Sequence, residues 1–236
     1  MKLYVLVPCF NEIKTINKII KKLIKIKKNI KIILIDDGST DGTKDFIHKN
    51  IKKKIFKFID LKKNRGKGFA INRAKKFIKK NNFVIIQDAD LEYNVRDLIK
   101  ILKYLKKHRN KKVVYGSRFL NKEFSEIYHS FNKDLIRIIG NKFLTIFSNF
   151  FNKQNLTDAH TCYKAFDSNI FKKIPLTENG FSFCPEINTK ISLLNIEIKE
   201  IPIKYFSRTK AMGKKISFMD AFYAIKAIIK YRFYQI

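Results

Sequence analysis

Asp88 and Asp90 stand one residue apart, directly after the apolar run Phe83-Val84-Ile85-Ile86. Carboxylates at that spacing, just past the end of a buried strand, suit a hard divalent cation. Mg²⁺ and Mn²⁺ take oxygen ligands, and Mg²⁺ is commonly held by one or two carboxylates together with substrate phosphates. Taken alone, Asp-x-Asp is also a common turn sequence, because Asp favours turns. What gives the pair weight is the set of elements that must position it.

Apolar runs at residues 3–7, 31–35, 55–59, 83–87 and 113–115 alternate with segments of helical spacing. Asn11 is the expected cap of a helix carrying Ile13, Ile16, Ile19, Ile20, Leu23 and Ile24. Ser39, Thr40 and Asp41 are expected to cap a second helix reaching about residue 50. A glycine-containing turn at 64–68 precedes a helix predicted over 69–80, and another is predicted over 95–108. Strands separated by such helices pair in parallel through right-handed crossovers. The predicted fold is therefore α/β: a Rossmann-like, mostly parallel sheet with helices on both faces. Ligands of such sheets bind outside the carboxyl ends of the strands. The polar clusters at 8–12, 36–39, 65–68, 88–90 and 116–118 all fall there, which predicts one shared site.

The second half is less regular. Helices are predicted over 132–151 and 185–194, and strands over 162–166 and 197–203. Ser217 and Asp220 form a capping box ahead of an amphipathic C-terminal helix. With no internal repeat and no linker, residues 1–236 read as one domain. It divides into a first half at about 1–118, a second half at about 119–216, and the helix at about 217–236.

The net charge of +31 attracts polyanions such as nucleic acid, anionic lipid or phosphorylated substrates. Abundant Lys, Ile, Asn and Phe also fit translation from an AT-rich genome, and that reading is preferred to a nucleic-acid surface. Cys9, Cys162 and Cys184 have no metal-type spacing, and their odd number fits a reducing compartment rather than a disulfide framework. The first residues lack a signal-peptide pattern, and no apolar run is long enough to span a bilayer.

Val7-Pro8-Cys9-Phe10-Asn11-Glu12, Asp36-Asp37-Gly38-Ser39-Thr40-Asp41-Gly42-Thr43, Arg65-Gly66-Lys67-Gly68 and Asp88-Ala89-Asp90-Leu91 resemble, in this order and spacing, the nucleotide-sugar motifs of family-2 glycosyltransferases with the A-type fold. Gly116-Ser117-Arg118-Phe119, Asn141-Lys142-Phe143-Leu144-Thr145, Leu156-Thr157-Asp158, Thr161-Cys162-Tyr163-Lys164, Pro185-Glu186-Ile187 and Gly213-Lys214-Lys215-Ile216 extend the likeness. Together they resemble the polyprenyl-phosphate hexosyltransferase branch, the dolichyl-phosphate mannose or glucose synthases and their bacterial relatives. The resemblance implies a nucleotide-diphosphate sugar of the GDP-mannose or UDP-glucose type, Mg²⁺ or Mn²⁺, and a polyprenyl-phosphate acceptor, in cell-envelope glycan synthesis. Pro8, Phe10 and Glu12 would hold the nucleoside. Asp37 would contact the base or ribose, with Asp36 and Gly38 also in the nucleotide-sugar site, although the acidic pair also reads as a capped turn. Lys67, Gly68 and Ala89 complete the donor site, Asp88 and Asp90 would take metal and phosphates, and Glu92 stands within reach of the same ion.

A sugar–phosphate bond breaks with negative charge growing on the leaving diphosphate, which a divalent ion stabilises. Attack from the opposite face inverts the anomeric carbon. A phosphate acceptor is already anionic and needs no strong general base. It needs cations, and Arg118, Arg208, Lys214 and Lys215 are the candidates. Asp158 would orient one of them; with a hydroxyl acceptor on a glycan or lipid it would instead be the base. Ala159-His160, Cys184 and Met212 stand where the branch often carries acidic groups, and His160 is a candidate replacement contact to phosphate. The segment 217–236 predicts either a helix lying on an anionic membrane or one packed on the core. Relatives carry spanning helices beyond this point; the chain's end predicts at most a peripheral place on the cytoplasmic inner face, or reliance on a partner membrane protein. A non-catalytic nucleotide- or nucleic-acid-binding module is the reading from another class; it leaves Asp88 and Asp90 unused, and no nucleic-acid partner is expected.

Overall fold

The computed structural model describes residues 1–26, 29–209 and 219–234. Every apolar run of the first half becomes a strand: β1 (Leu3–Cys9), β2 (Ile30–Asp36), β3 (Lys57–Asp60), β4 (Phe83–Ile86) and β5 (Val113–Ser117). The helices between them are α1 (Ile16–Ile24), α2 (Thr43–Asn50), α3 (Lys67–Ala74) and α4 (Val95–Lys107). The second half adds α5 (Phe124–Ser130), α6 (Leu135–Asn152), β6 (Lys164–Asp167), α7 (Ser168–Lys173), α8 (Phe183–Leu193), β7 (Ile198–Pro202) and α9 (Met219–Phe233).

The strands form one seven-stranded sheet in the order β3-β2-β1-β4-β6-β5-β7. All pairings are parallel except those of β6, which runs antiparallel to both β4 and β5 and holds them apart. Side chains alternate across the sheet as the pleat requires. Leu3, Val5, Val7 and Cys9 of β1 face one core, with Ile16, Ile19, Ile20 and Leu23 of α1 and Leu98, Ile101 and Leu105 of α4. Tyr4 and Leu6 face the other, with Ala70 and Ile71 of α3 and Phe183, Ile187 and Ile191 of α8. Burying each of these large apolar side chains stabilises the fold by about 1.5–3 kcal/mol. From β1 the chain winds outward through β2 to β3, then returns to place β4 on the other flank of β1. That reversal opens a crevice beyond the carboxyl ends of β1 and β4, where an open sheet takes its ligand.

Local chemistry departs from expectation at several points. Asn11 does not cap α1, whose N-cap is Thr15 without a side-chain bond. Asn11 instead adopts φ 53°, and its Oδ1 accepts from the Thr40 N–H at 2.8 Å, tying the β1 loop to the β2 loop. None of the residues expected to cap α2 is its N-cap, which is Gly42; Asp41, one residue earlier, accepts from the Thr43 N–H at 3.0 Å, while Ser39 turns back onto Asp36. The helix expected to run to residue 80 ends at Ala74 and tightens into the 3₁₀ turn Lys75–Phe77. α5 and α7 are additional helices. The predicted capping box at Ser217 lies outside the described residues.

α9 packs on α6 and α8 and buries Ala224, Ala227, Ile228 and Tyr231. Phe222 and Ile229 of α9 face outward. No helix among the described residues is long and apolar enough to cross a membrane.

Candidate active site

At the end of β4, Asp88 and Asp90 stand with their carboxylates only slightly exposed. Leu91 takes φ 66°, and this left-handed residue turns the chain so that the Glu92 N–H reaches Asp90 Oδ1 at 3.1 Å. Each aspartate faces a cation. Lys67, at the start of α3, donates its Nζ to Asp88 Oδ1 and, at 3.0 Å, to Cys162 Sγ. Burial works most strongly against the Lys67 charge, but Asp88 and the neighbouring Cys162 and Cys184 together hold the ammonium well above its ordinary range. Burial, with Asp88 beside it, pushes the Cys162 thiol up, so it serves there as a neutral acceptor.

Arg208 reaches across from the second half. Its Nη1 and Nη2 grip the two oxygens of Glu12 at 3.1 Å each, and Nη2 also lies 3.3 Å from Asp90 Oδ2. Its backbone N–H donates to Glu92 Oε1 at 2.7 Å, while Glu92 Oε2 accepts from the Tyr205 hydroxyl at 2.8 Å. Burial, then the charges of Asp88 and Glu92, raise Asp90 to about 7, with Arg208 pulling the other way. Four carboxylates, of Glu12, Asp88, Asp90 and Glu92, thus share the two cations Lys67 and Arg208. Among the described residues no group of three or more His, Cys, Asp and Glu side chains is placed to hold a metal. The Asp88–Asp90 pair nonetheless fits a hard divalent ion whose remaining positions are filled by substrate oxygens, since its donors are all oxygen and its charge is excess negative.

The other predicted donor residues surround this centre. Pro8 is buried in β1 and Phe10 is half-buried just past it. Glu12 is buried, and its N–H donates to Thr43 Oγ1 at 2.9 Å. Asp36 is fully buried and accepts from the Ser39 N–H at 3.0 Å and the Ser39 hydroxyl at 2.5 Å. Asp37 accepts from the Arg65 and Gly66 N–H groups at 3.0 and 2.8 Å, and burial raises its carboxyl despite those bonds. The acidic pair therefore shapes the loops that frame the crevice. Gly38, at φ 73°, lies so close to the Lys63 backbone that a Cβ would stand 2.5 Å from its carbonyl carbon. At Gly68 a Cβ would meet the Glu178 carbonyl oxygen at 2.1 Å. That segment is fixed by Glu186, fully buried, which accepts from the Thr177 and Glu178 N–H groups at 2.7 and 3.0 Å. Ala89 is buried between the two aspartates.

Just past β5, Arg118 forms a buried, two-pronged pair with Asp158. Arg118 Nε and Nη2 each reach a different oxygen of Asp158 at 2.7 Å, and the Arg118 N–H donates to Oδ2 at 2.9 Å. Burial opposes the Arg118 charge, and Asp158 more than restores it. Nη2 also donates to Asn141 Oδ1 at 3.1 Å, and the guanidinium lies over the Tyr205 ring at 5.2 Å. Tyr205 thus stands between Arg118 and the Glu92–Arg208 group. His160 turns inward: its Nε2 is enclosed without a hydrogen-bond partner among the described residues, and burial lowers it to about 4. Lys214 and Lys215 lie outside the described residues.

Sequence reasoning brought Glu12, Lys67, Asp88, Asp90, Arg118, Asp158 and Arg208 forward, and the fold gathers them along one rim. It missed Tyr205 and Arg137, whose guanidinium reaches Ser207 and the Arg208 carbonyl from α6. Nothing local marks either residue, because their partners lie far along the chain.

The family model for glycosyl transferase family 2 matches residues 4–175. The chain belongs to that family. Glycosyltransferase AglJ of Haloferax volcanii is 24% identical over 204 residues, covering 86% of this chain; the chain spans 63% of that relative's length. Among solved structures, glucosyl-3-phosphoglycerate synthase from Mycobacterium tuberculosis, in complex with Mn²⁺, uridine diphosphate and glucosyl-3-phosphoglycerate, superposes with a TM-score of 0.65 at 14% identity, covering 98% of this chain and 79% of that one. The mannosyltransferase PcManGT from Pyrobaculum calidifontis, in complex with GDP-Man and Mn²⁺, gives 0.60 at 15% identity, covering 97% and 69%. These likenesses are of fold.

Proposed function

We propose that this glycosyltransferase moves a hexose, with inversion, from a nucleotide-diphosphate sugar to a polyprenyl phosphate at the cytoplasmic face of a membrane, using Mg²⁺ or Mn²⁺. The observation that carries the reading is the acidic pair Asp88 and Asp90 at the strand ends, each opposed by a cation, Lys67 and Arg208. Bound between the two aspartates and the donor, the ion would supply charge stabilisation of the leaving diphosphate. Lys67 is positioned to pass its hydrogen bond from Asp88 to a donor phosphate. The Asp37-held loop and the Gly68 turn shape the donor cleft. Arg118, locked by Asp158, and Arg208, locked by Glu12, flank Tyr205 as two preorganised cations for an incoming phosphate. The presence of Mn²⁺ with UDP or GDP-Man in the two solved structures supports the donor and ion assignments.

A hydroxyl acceptor with Asp158 as base is less well supported. Both Asp158 oxygens already accept from Arg118, and the side chain has no exposed surface. The test is a panel of radiolabelled nucleotide sugars incubated with purified protein, Mg²⁺ or Mn²⁺, and undecaprenyl or dolichyl phosphate. Label passing into the organic phase is expected with one donor. Label that reaches only a neutral lipid or a water-soluble glycan would overturn the acceptor assignment.

A further inference from the structure

α6 carries a stripe of large apolar side chains that the fold leaves outside. Ile136, Ile139, Phe143, Ile146 and Phe150 are 82, 59, 56, 68 and 79% exposed. Their spacing of three and four residues puts them along one side of the helix. An eighteen-residue helix is about 27 Å long, so the stripe is a continuous strip rather than scattered surface residues. It continues onto α9 through the edge-to-face contact of Phe151 with Phe233, whose ring centroids lie 6.0 Å apart. Exposed apolar area of that extent marks an interaction surface.

The opposite side of the same helix serves the acceptor side of the cleft. Asn141 holds Arg118 at 3.1 Å, and Arg137 holds Ser207 and the Arg208 carbonyl. Thr145 Oγ1 accepts from the Ala159 N–H at 3.2 Å, next to Asp158.

We infer that the outer face of α6 lies in the interfacial plane of an anionic lipid bilayer. The inference deepens the acceptor assignment above and rests on it for its purpose, though not for its test. Charge selects the occupant. Lys133, Lys142 and Lys153 are exposed around the stripe and do not interrupt it, as on a helix that seats apolar groups among acyl chains and cations among headgroups. A second copy of a chain of net charge +31 would bring lysine rim against lysine rim. Seated this way, the helix would deliver a membrane-borne phosphate to Arg118 and Arg208 from its own inner face.

The experiment is co-sedimentation of the full chain with vesicles of phosphatidylcholine alone or mixed with phosphatidylglycerol, containing no polyprenyl phosphate. It compares the wild type with the triple variant Ile136→Ser, Phe143→Ser, Phe150→Ser. The wild type is expected to pellet with the anionic vesicles, and the variant to bind at least about tenfold more weakly. The variant's circular dichroism and donor binding should be unchanged, because the three side chains project from the surface. Equal pelleting of both proteins, abolished in about 1 M salt where the Debye length is near 3 Å, would reduce the binding to diffuse charge and overturn the inference. So would a wild-type dimer in sedimentation velocity that the variant lacks, without vesicle binding. Docking that holds while no donor labels polyprenyl phosphate would leave this face intact and remove only the acceptor assignment.

Discussion

Arg208 grips Glu12 with both arms of its guanidinium at 3.1 Å, across 196 residues of sequence. The pair closes the crevice between the two halves of the chain and sets a fixed cation 3.3 Å from Asp90. Arg208→Lys keeps the charge and loses the fork. Turnover should fall at least about tenfold, or about 1.4 kcal/mol, because a point charge cannot hold Glu12 and Asp90 together. Steady-state kinetics with the donor found in the panel would show this; wild-type kcat/KM would mean that the fork is not needed.

Asp158 tests the kind of acceptor. Asp158→Asn leaves Arg118 charged and buried without its carboxylate, a change that costs about 3–5 kcal/mol in other buried pairs. At about 2–4 °C per kcal/mol for a chain of this size, thermal unfolding should drop by about 6–20 °C, with activity lost in proportion to misplaced Arg118. An unchanged Tm with activity abolished would instead identify Asp158 as the base.

Gly68→Ala places a methyl group 2.1 Å from the carbonyl oxygen of Glu178, a residue whose N–H is held by Glu186. Strain of this kind costs about 1–3 kcal/mol, so the variant should unfold several degrees lower and bind donor more weakly. Differential scanning calorimetry and nucleotide titration would report both; a Tm within a degree of wild type would contradict the close packing of the turn.

His160 predicts acid sensitivity. Its folded value of about 4 lies below the ordinary 6.5 because the ring is enclosed and Lys164 is near. Between those values the unfolded chain binds the proton first, so the His160 contribution is intact above pH 6.5 and is lost as pH falls toward 4. The stability of wild type relative to His160→Gln should decline by about 2–3 kcal/mol over that window in denaturant melts. Parallel pH profiles would place His160 in solvent.

The first half of the fold was legible because most of its strands are short apolar runs, and α1 and α4 repeat Ile and Leu at helical spacing. The insertion of β6 between β4 and β5 was not, since nothing in Lys164–Asp167 specifies a neighbour. The place of Asp88 and Asp90 just past β4 was legible from the apolar run before them. The grip of Arg208 on Glu12 was not, because a long-range ion pair leaves no local pattern. Asn11 looked like a cap for the same reason that it makes a loop tie: a short amide beside a turn satisfies whichever N–H the tertiary structure brings near.

The central claim is that Asp88 and Asp90 hold a divalent ion together with the donor diphosphate. The most direct measurement is a Mn²⁺ titration followed by electron paramagnetic resonance, with the nucleotide sugar present, on the wild type and on Asp90→Ala. One tightly held ion is expected in the wild type, and in a folded Asp90→Ala protein an ion that stays free with turnover lost. Equal Mn²⁺ uptake and equal turnover in the two proteins would contradict it.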